Sequence, residues 1–80
     1  MAKIFKAAVV GMGGIGHTHA NCIINDPLAE LVAVCDLIPA KADAAAEKFN
    51  VPAFYSLKEM LIAHPEIEVV HVTTSGFENG

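Results

Sequence analysis

The sequence predicts an α/β fold in which a parallel sheet of about four strands carries helices on both of its faces. Three observations support this. Apolar, strand-like runs alternate with helix-like segments along the 80 residues. The runs are almost continuously apolar, as in parallel strands that are covered on both faces. A glycine-rich turn joins the first run to the first helix. Right-handed crossovers would then give the strand order 3-2-1-4.

The predicted strands cover residues 3–10, 29–35, 53–55 and 69–73, and the predicted helices cover 14–25, 39–49 and 57–63. Prolines limit the helices: Pro27 follows the first helix, Pro39 opens the second and Pro65 follows the third. Ser56 and Glu59 have the spacing of a capping box at the start of the third helix. On the first helix, the inward face is predicted from helical spacing to comprise Ile15, His19, Cys22 and Ile23.

The first turn carries glycines at 11, 13 and 16, the G-x-G-x-x-G spacing, with an additional glycine at 14. In a dinucleotide site, Gly11 allows a sharp turn, Gly13 lets a pyrophosphate approach the backbone, and Gly16 allows close packing of helix on strand. The pyrophosphate would meet free N–H groups at the positive end of the helix. Alone, this spacing fits a ligand-free tight turn equally well, so its context decides.

The context agrees with a partial Rossmann fold. The motif follows a strand and opens a helix, and Asp36 stands 20 positions after Gly16 at the end of the second strand. The hydroxyl-bearing residues after strand four would lie at the same crevice. The predicted cofactor contacts are therefore Gly11, Met12, Gly13, Gly14, Ile15, Gly16, Asp36, Leu37, Thr73, Thr74 and Ser75.

The residues after strand two favour NAD over NADP. A carboxylate at Asp36 would accept hydrogen bonds from the ribose hydroxyls and would repel a 2′-phosphate. The next two residues, Leu37 and Ile38, are neutral, and the nearest cation is Lys41. NADP is thus the less favoured cofactor.

Composition excludes several other classes of protein. The net charge is −4 and the sequence has no cluster of basic residues, which argues against nucleic acid or an anionic membrane as partner. No apolar run is long enough to span a bilayer. Two isolated cysteines, Cys22 and Cys35, are interpreted as reduced and buried, which predicts a cytoplasmic setting. His17 and His19 point to opposite sides of a helix, so no metal site is predicted.

Several segments, in this order, resemble the start of the Gfo/Idh/MocA-type oxidoreductases, the glucose–fructose oxidoreductase and inositol dehydrogenase group. The segments are residues 10–16 with His19, residues 32–36, residues 54–61 and residues 68–74. The resemblance covers nearly the whole chain. It implies that His19 is the family's histidine after the glycine loop, Asp36 its ribose-binding acid, and Thr74 the threonine of a Thr-Pro pair. Ser75 stands in place of that proline.

The resemblance also implies a function. Family members transfer hydride between a nicotinamide and a hydroxyl-bearing carbon of a sugar, an inositol or a similar small molecule, and they are commonly homo-oligomers. On this basis residues 1–80 are expected to be the N-terminal part of an NAD(P)-binding domain, with the substrate domain outside this chain. The family's Glu-Lys-Pro segment with its catalytic lysine would follow residue 80. No catalytic residue is therefore assigned, and these 80 residues alone are expected to be inactive.

Two alternatives use the same glycine loop and acid. One is a regulatory module that senses NAD without chemistry, and the other is an S-adenosylmethionine-binding domain. The complete G-x-G-x-x-G spacing, with a helix that starts at the loop, argues against the second alternative.

Overall fold

The computed structural model of the chain describes residues 3–73. Strands and helices alternate throughout this range, as the sequence predicts. No helix within it is both long and apolar enough to cross a membrane. The elements, in chain order, are β1 (Phe5–Val10), α1 (Gly14–Asn25), β2 (Ala29–Cys35), α2 (Pro39–Phe49), β3 (Ala53–Phe54), α3 (Leu57–Ala63) and β4 (Val69–Val72).

The strands form one four-stranded sheet in the order β3-β2-β1-β4, and every paired strand is parallel. This confirms the predicted fold class and strand order. β1 is central, with β2 on one side and β4 on the other. The β1–β2 register shifts once: Ala7 is opposite Leu31, but Ala8 is opposite Ala33, so Val32 is an extra residue in β2.

Helices cover both faces of the sheet, and each face has its own core. Ala7 and Val9 of β1 pack with Ala20 and Ile23 of α1 and with Ala45 of α2. Ala8, between them in sequence, packs on the opposite face with Met60 of α3. The alternation of β1 side chains between two apolar cores explains why residues 7–10 are apolar without interruption.

The three helices have the predicted bounds, and the strands are slightly shorter than predicted. β1 begins at Phe5 rather than at residue 3, β3 ends at Phe54, and β4 ends at Val72. The cap of α3 is confirmed, because the Ser56 hydroxyl accepts a hydrogen bond from the Glu59 backbone N–H at 3.4 Å.

The predicted inward face of α1 is wrong in part. The buried residues are Gly16, Ala20 and Ile23, whereas Cys22 is exposed, His19 is half-buried and 62% of Ile15 is exposed. The reason is the close approach of α1 to the sheet. A helix that touches the strand backbone at a glycine must turn its small residues inward, and the larger apolar residue Ile15 then faces away. The expected burial of Cys22 was therefore wrong as well, although Cys35 is buried.

Candidate cofactor-binding site

A crevice of about 530 Å³ opens at the carboxyl ends of β1, β2 and β4. It lies where the chain order of the sheet reverses, because β2 and β4 flank β1 on opposite sides. In doubly wound sheets this is where ligands bind. The lining residues are Val10, Gly11, Gly13, Cys35, Asp36, Leu37, Ile38, Lys41, Leu57 and Thr73.

The crevice brings together five of the predicted contact positions, Gly11, Gly13, Asp36, Leu37 and Thr73. Gly14, Ile15 and Gly16 form the first turn of α1 beside it, and the side chain of Met12 is buried in the core below. The predicted contacts at Thr74 and Ser75 lie outside the described residues.

Gly11 makes the turn off β1. Its φ of 95° lies in the region that side-chain-bearing residues rarely adopt, so the position requires glycine. Its backbone N–H donates to the Cys35 carbonyl at 2.8 Å, which fixes the turn to the end of β2. The turn-forming role that the sequence predicts for Gly11 is thus present in the structure.

Gly16 lets α1 approach the turn closely. A Cβ atom built on Gly16 would lie 1.8 Å from the Gly11 carbonyl oxygen and 3.0 Å from the Thr73 hydroxyl oxygen. Atoms cannot approach that closely without displacement of the backbone. The helix therefore approaches the end of β1 closely at Gly16, as the motif predicts.

The start of α1 is open. Gly13 is its N-cap residue, and within residues 3–73 no side chain caps this end. A Cβ on Gly13 or Gly14 would meet no atom within 4 Å. The first backbone N–H groups of a helix have no partner inside it and carry its positive partial charge. The exposed turn is thus an electropositive surface of peptide nitrogens without side chains in the way.

Asp36 faces this turn from the end of β2. Its Oδ2 accepts a hydrogen bond from the Met12 backbone N–H at 2.7 Å, and its Oδ1 accepts one from the Ile38 N–H at 2.8 Å. Each carboxylate oxygen has two lone pairs, so each can accept one further hydrogen bond. The carboxylate is therefore held in place by the backbone and still able to accept hydroxyl groups from a ligand.

Thr73 closes the other side of the turn. Its hydroxyl oxygen lies 2.6 Å from the Gly11 carbonyl oxygen and 3.1 Å from that of Val10, and its backbone N–H donates to Val10 at 2.8 Å. The end of β4 is in this way attached to the glycine loop.

Sequence reasoning missed part of the crevice wall. Leu57, the first residue of α3, lines the crevice, and so do Ile38 and Lys41 near the start of α2. Together with Leu37, which is 81% exposed, Ile38 and Leu57 offer apolar surface beside the carboxylate. The available signal was positional: Leu57 follows a helix cap directly after β3, and β3 ends at the same edge of the sheet.

The histidines on α1 have separate partners. His17 Nδ1 is 2.9 Å from the Gly13 carbonyl oxygen, and its ring lies against Phe49. His19 Nδ1 is 3.0 Å from His71 Nδ1 on β4, so one ring donates and the other accepts. His19 is thus packed and hydrogen-bonded, as predicted, although only half-buried.

The two cysteines differ in exposure: Cys22 is exposed and Cys35 is buried. Cys35 lines the crevice, and its burial, together with the negative charges of Asp36 and Glu59, raises the pKa of its thiol above the usual value. We expect iodoacetamide at pH 8 to alkylate the exposed Cys22 quickly and Cys35 slowly, because the thiolate is the reacting form. Mass spectrometry of timed samples checks this. In the Cys22→Ser variant the fast label should disappear, and fast labelling of Cys35 would contradict the arrangement.

The fold and the crevice define a Rossmann-type domain built to bind a dinucleotide. More particularly, the chain belongs to the oxidoreductase family with the NAD-binding Rossmann fold (GFO_IDH_MocA), whose family model matches residues 5–80. This confirms the family resemblance drawn from the sequence.

Two named relatives support the family assignment. The chain is 39% identical over 72 residues to inositol 2-dehydrogenase from Salmonella typhimurium, and this alignment covers 88% of this chain and 21% of that protein. The chain is 32% identical over 76 residues to inositol 2-dehydrogenase/D-chiro-inositol 3-dehydrogenase from Lactiplantibacillus plantarum, and this alignment covers 92% of this chain and 22% of that protein. The chain thus spans about a fifth of the length of these relatives.

Solved structures share the fold. Myo-inositol dehydrogenase from Lactobacillus casei, in complex with NAD(H) and myo-inositol, superposes with a TM-score of 0.77 at 32% identity, covering 91% of this chain and 22% of that one. GenD2 from gentamicin A biosynthesis, in complex with NAD, superposes with a TM-score of 0.84 at 31% identity, covering 92% of this chain and 21% of that one. Both complexes hold the cofactor class predicted from the sequence.

Proposed function

We propose that this chain binds NAD(H) as the cofactor part of an oxidoreductase that acts on a sugar, an inositol or a similar polyol. The observation that carries the proposal is the open, side-chain-free start of α1 facing a positioned carboxylate, Asp36, in one crevice. When bound, the nicotinamide supplies a hydride acceptor or donor. The relatives named as inositol dehydrogenases support the class of substrate.

The residues of the crevice match three parts of NAD(H): the pyrophosphate, a ribose and the base. Backbone N–H groups at Gly13, Gly14 and Ile15 would hold the pyrophosphate, because a helix N-terminus favours negative charge. Asp36 would accept the ribose hydroxyls. Leu37, Ile38 and Leu57 offer apolar surface for a flat base. Substrate contacts and proton transfer are assigned to the remainder of a longer protein, which we propose to be a cytoplasmic homo-oligomer.

Direct titration tests the proposal. The full-length gene product should bind NADH, measured by the nicotinamide fluorescence, and should bind NADPH at least about tenfold more weakly, because Asp36 opposes the 2′-phosphate. S-adenosylmethionine, titrated in parallel, should not bind. Failure to bind NADH, or preferential binding of S-adenosylmethionine, would overturn the proposal. NADH binding with no turnover of any polyol would instead favour the NAD-sensing module.

The Gly13→Ala variant tests the pyrophosphate position separately. The added methyl group meets no protein atom within 4 Å, so the loss of stability should be limited to about 1 kcal/mol, because alanine is a poorer N-cap residue than glycine. The methyl group would occupy the surface that the pyrophosphate approaches, so we expect NADH affinity to fall by about tenfold or more. Unchanged affinity would place the pyrophosphate elsewhere. The control is Ala44→Gly, which removes a methyl group from exposed α2 surface outside the crevice. It should lower the stability by about 1 kcal/mol, because glycine is the poorer helix former, and leave the NADH affinity unchanged.

A further inference from the structure

One peptide group of the glycine loop, the group between Gly11 and Met12, is held at both ends. Its carbonyl oxygen accepts from the Thr73 hydroxyl at 2.6 Å, and its N–H donates to Asp36 Oδ2 at 2.7 Å. No cis peptide bond occurs within residues 3–73, so these two bonds leave the peptide in opposite directions. A continuous path of hydrogen bonds therefore runs from β4 through the loop to the end of β2.

The Thr73 hydroxyl uses its one proton in the hydrogen bond to the Gly11 carbonyl. It has one proton, and the Gly11 carbonyl at 2.6 Å is nearer than the Val10 carbonyl at 3.1 Å. The Val10 carbonyl already accepts from the Thr73 backbone N–H at 2.8 Å, so it has a donor of its own. The hydroxyl therefore donates to the Gly11 carbonyl and has no second proton to donate to a ligand.

Hydrogen bonds in series strengthen one another, because each polarises the group that makes the next. Donation to the Gly11 carbonyl makes the Met12 N–H a better donor to Asp36. It also stops the peptide from rotating, and rotation would take the N–H away from the carboxylate. The orientation of the Asp36 carboxylate thus depends on the side chain of the residue that directly follows β4, 37 residues further along the chain.

We infer that Thr73 is a positioning residue for the cofactor: through the Gly11–Met12 peptide it holds the Asp36 carboxylate in the orientation that receives the ribose. The inference rests on the proposed function. It replaces a direct contact between the Thr73 hydroxyl and the cofactor, which the sequence suggested, by an indirect action.

Two substitutions of Thr73 separate its hydroxyl from its bulk. Thr73→Val keeps the shape and removes the donor, and we expect the dissociation constant for NADH to rise by about tenfold. Thr73→Ser keeps the donor, and its affinity should stay within about threefold of the wild type. A purely steric role for Thr73 would give the opposite ranking, and equal affinities of wild type and Thr73→Val would overturn the inference.

A double-mutant cycle with Asp36→Ala, which leaves no side-chain acceptor for the Met12 N–H, distinguishes indirect from direct action. If Thr73 acts through Asp36, Thr73→Val should weaken NADH binding by less than about twofold in the Asp36→Ala background. If the hydroxyl touches the cofactor itself, the two effects should multiply, and the inference fails. Wild-type protein that binds no NADH would instead refute the proposed function, so the two failures are distinguishable.

Folding of the variants is checked by thermal melting. If Thr73→Val unfolds, Thr73→Ala takes its place in the cycle. The Met12 amide proton provides a measurement without ligand, since its NMR signal should move upfield when the donation to Asp36 weakens. We expect that movement in Thr73→Ala or Thr73→Val and little movement in Thr73→Ser. A Met12 signal that is the same in all variants would contradict the action of Thr73 on Asp36 through the Gly11–Met12 peptide.

Discussion

Gly16→Ala should destabilise the domain strongly. The new Cβ would lie 1.8 Å from the Gly11 carbonyl oxygen, a backbone atom that cannot rotate away as a side chain could. Either α1 must lift from the sheet or the turn must open, and we expect a loss of about 3 kcal/mol in the free energy of unfolding. Urea denaturation of the purified variant measures this loss.

The matched control for Gly16→Ala lies two residues earlier. Gly14→Ala adds the same methyl group to the same first turn of α1, where it meets no atom within 4 Å. Because alanine favours helix over glycine, its stability should equal that of the wild type or exceed it by up to about 1 kcal/mol. Equal stabilities of the two variants would mean that α1 does not contact the turn at Gly16.

Removal of the Asp36 carboxylate should have the largest effect on the cofactor. Asp36→Ala removes both the ribose acceptor and the acceptor of the Met12 and Ile38 N–H groups. Hydrogen bonds to charged groups contribute about 1.5–3 kcal/mol each, so we expect NADH to bind at least about thirtyfold more weakly. The affinity for NADPH should fall less, because the charge that repels its 2′-phosphate is also removed. The ratio of the two dissociation constants, measured by fluorescence titration, should therefore approach one.

Asp26 provides the control for this experiment. Its Oδ1 accepts from the Leu28 N–H at 2.9 Å, which is the same local turn that Asp36 makes with Ile38. It lies between α1 and β2, at the opposite end of β2 from the crevice. Asp26→Ala should leave both dissociation constants unchanged. A wild-type protein that binds NADPH as tightly as NADH would point to Lys41, which also lines the crevice, as a ligand of the 2′-phosphate.

The parts of the fold that sequence predicts well are those that depend on local chemistry. Prolines and the Ser56 cap limit the helices, and nearly continuous apolar runs mark the parallel strands. The turn at Gly11 and the carboxylate of Asp36 were also found, because a dinucleotide motif has fixed spacing along the chain.

The parts that sequence could not predict depend on contacts between distant residues. The burial of Ala20 rather than Ile15 on α1 follows from the contact of Gly16 with Gly11, which hydrophobic periodicity does not contain. The partner of the Thr73 hydroxyl lies 62 residues earlier in the chain. Leu57 reaches the crevice only because β3 and α3 bring it there.

The extra residue in β2 has a consequence for any attempt to transplant this site. Val32 and Ala33 both pack on the α3 face, whereas neighbouring strand residues normally alternate between faces. From Ala33 onward the alternation is reversed, with Val34 on the α1 face and Cys35 on the α3 face. Deletion of Val32 would leave Leu31 opposite Ala7 and Ala33 opposite Ala8, so the later side chains of the strand would keep their faces. A protein engineer who designs this strand on another scaffold must therefore count positions backward from the acid, because forward counting through Val32 by strict alternation assigns every later residue to the wrong side.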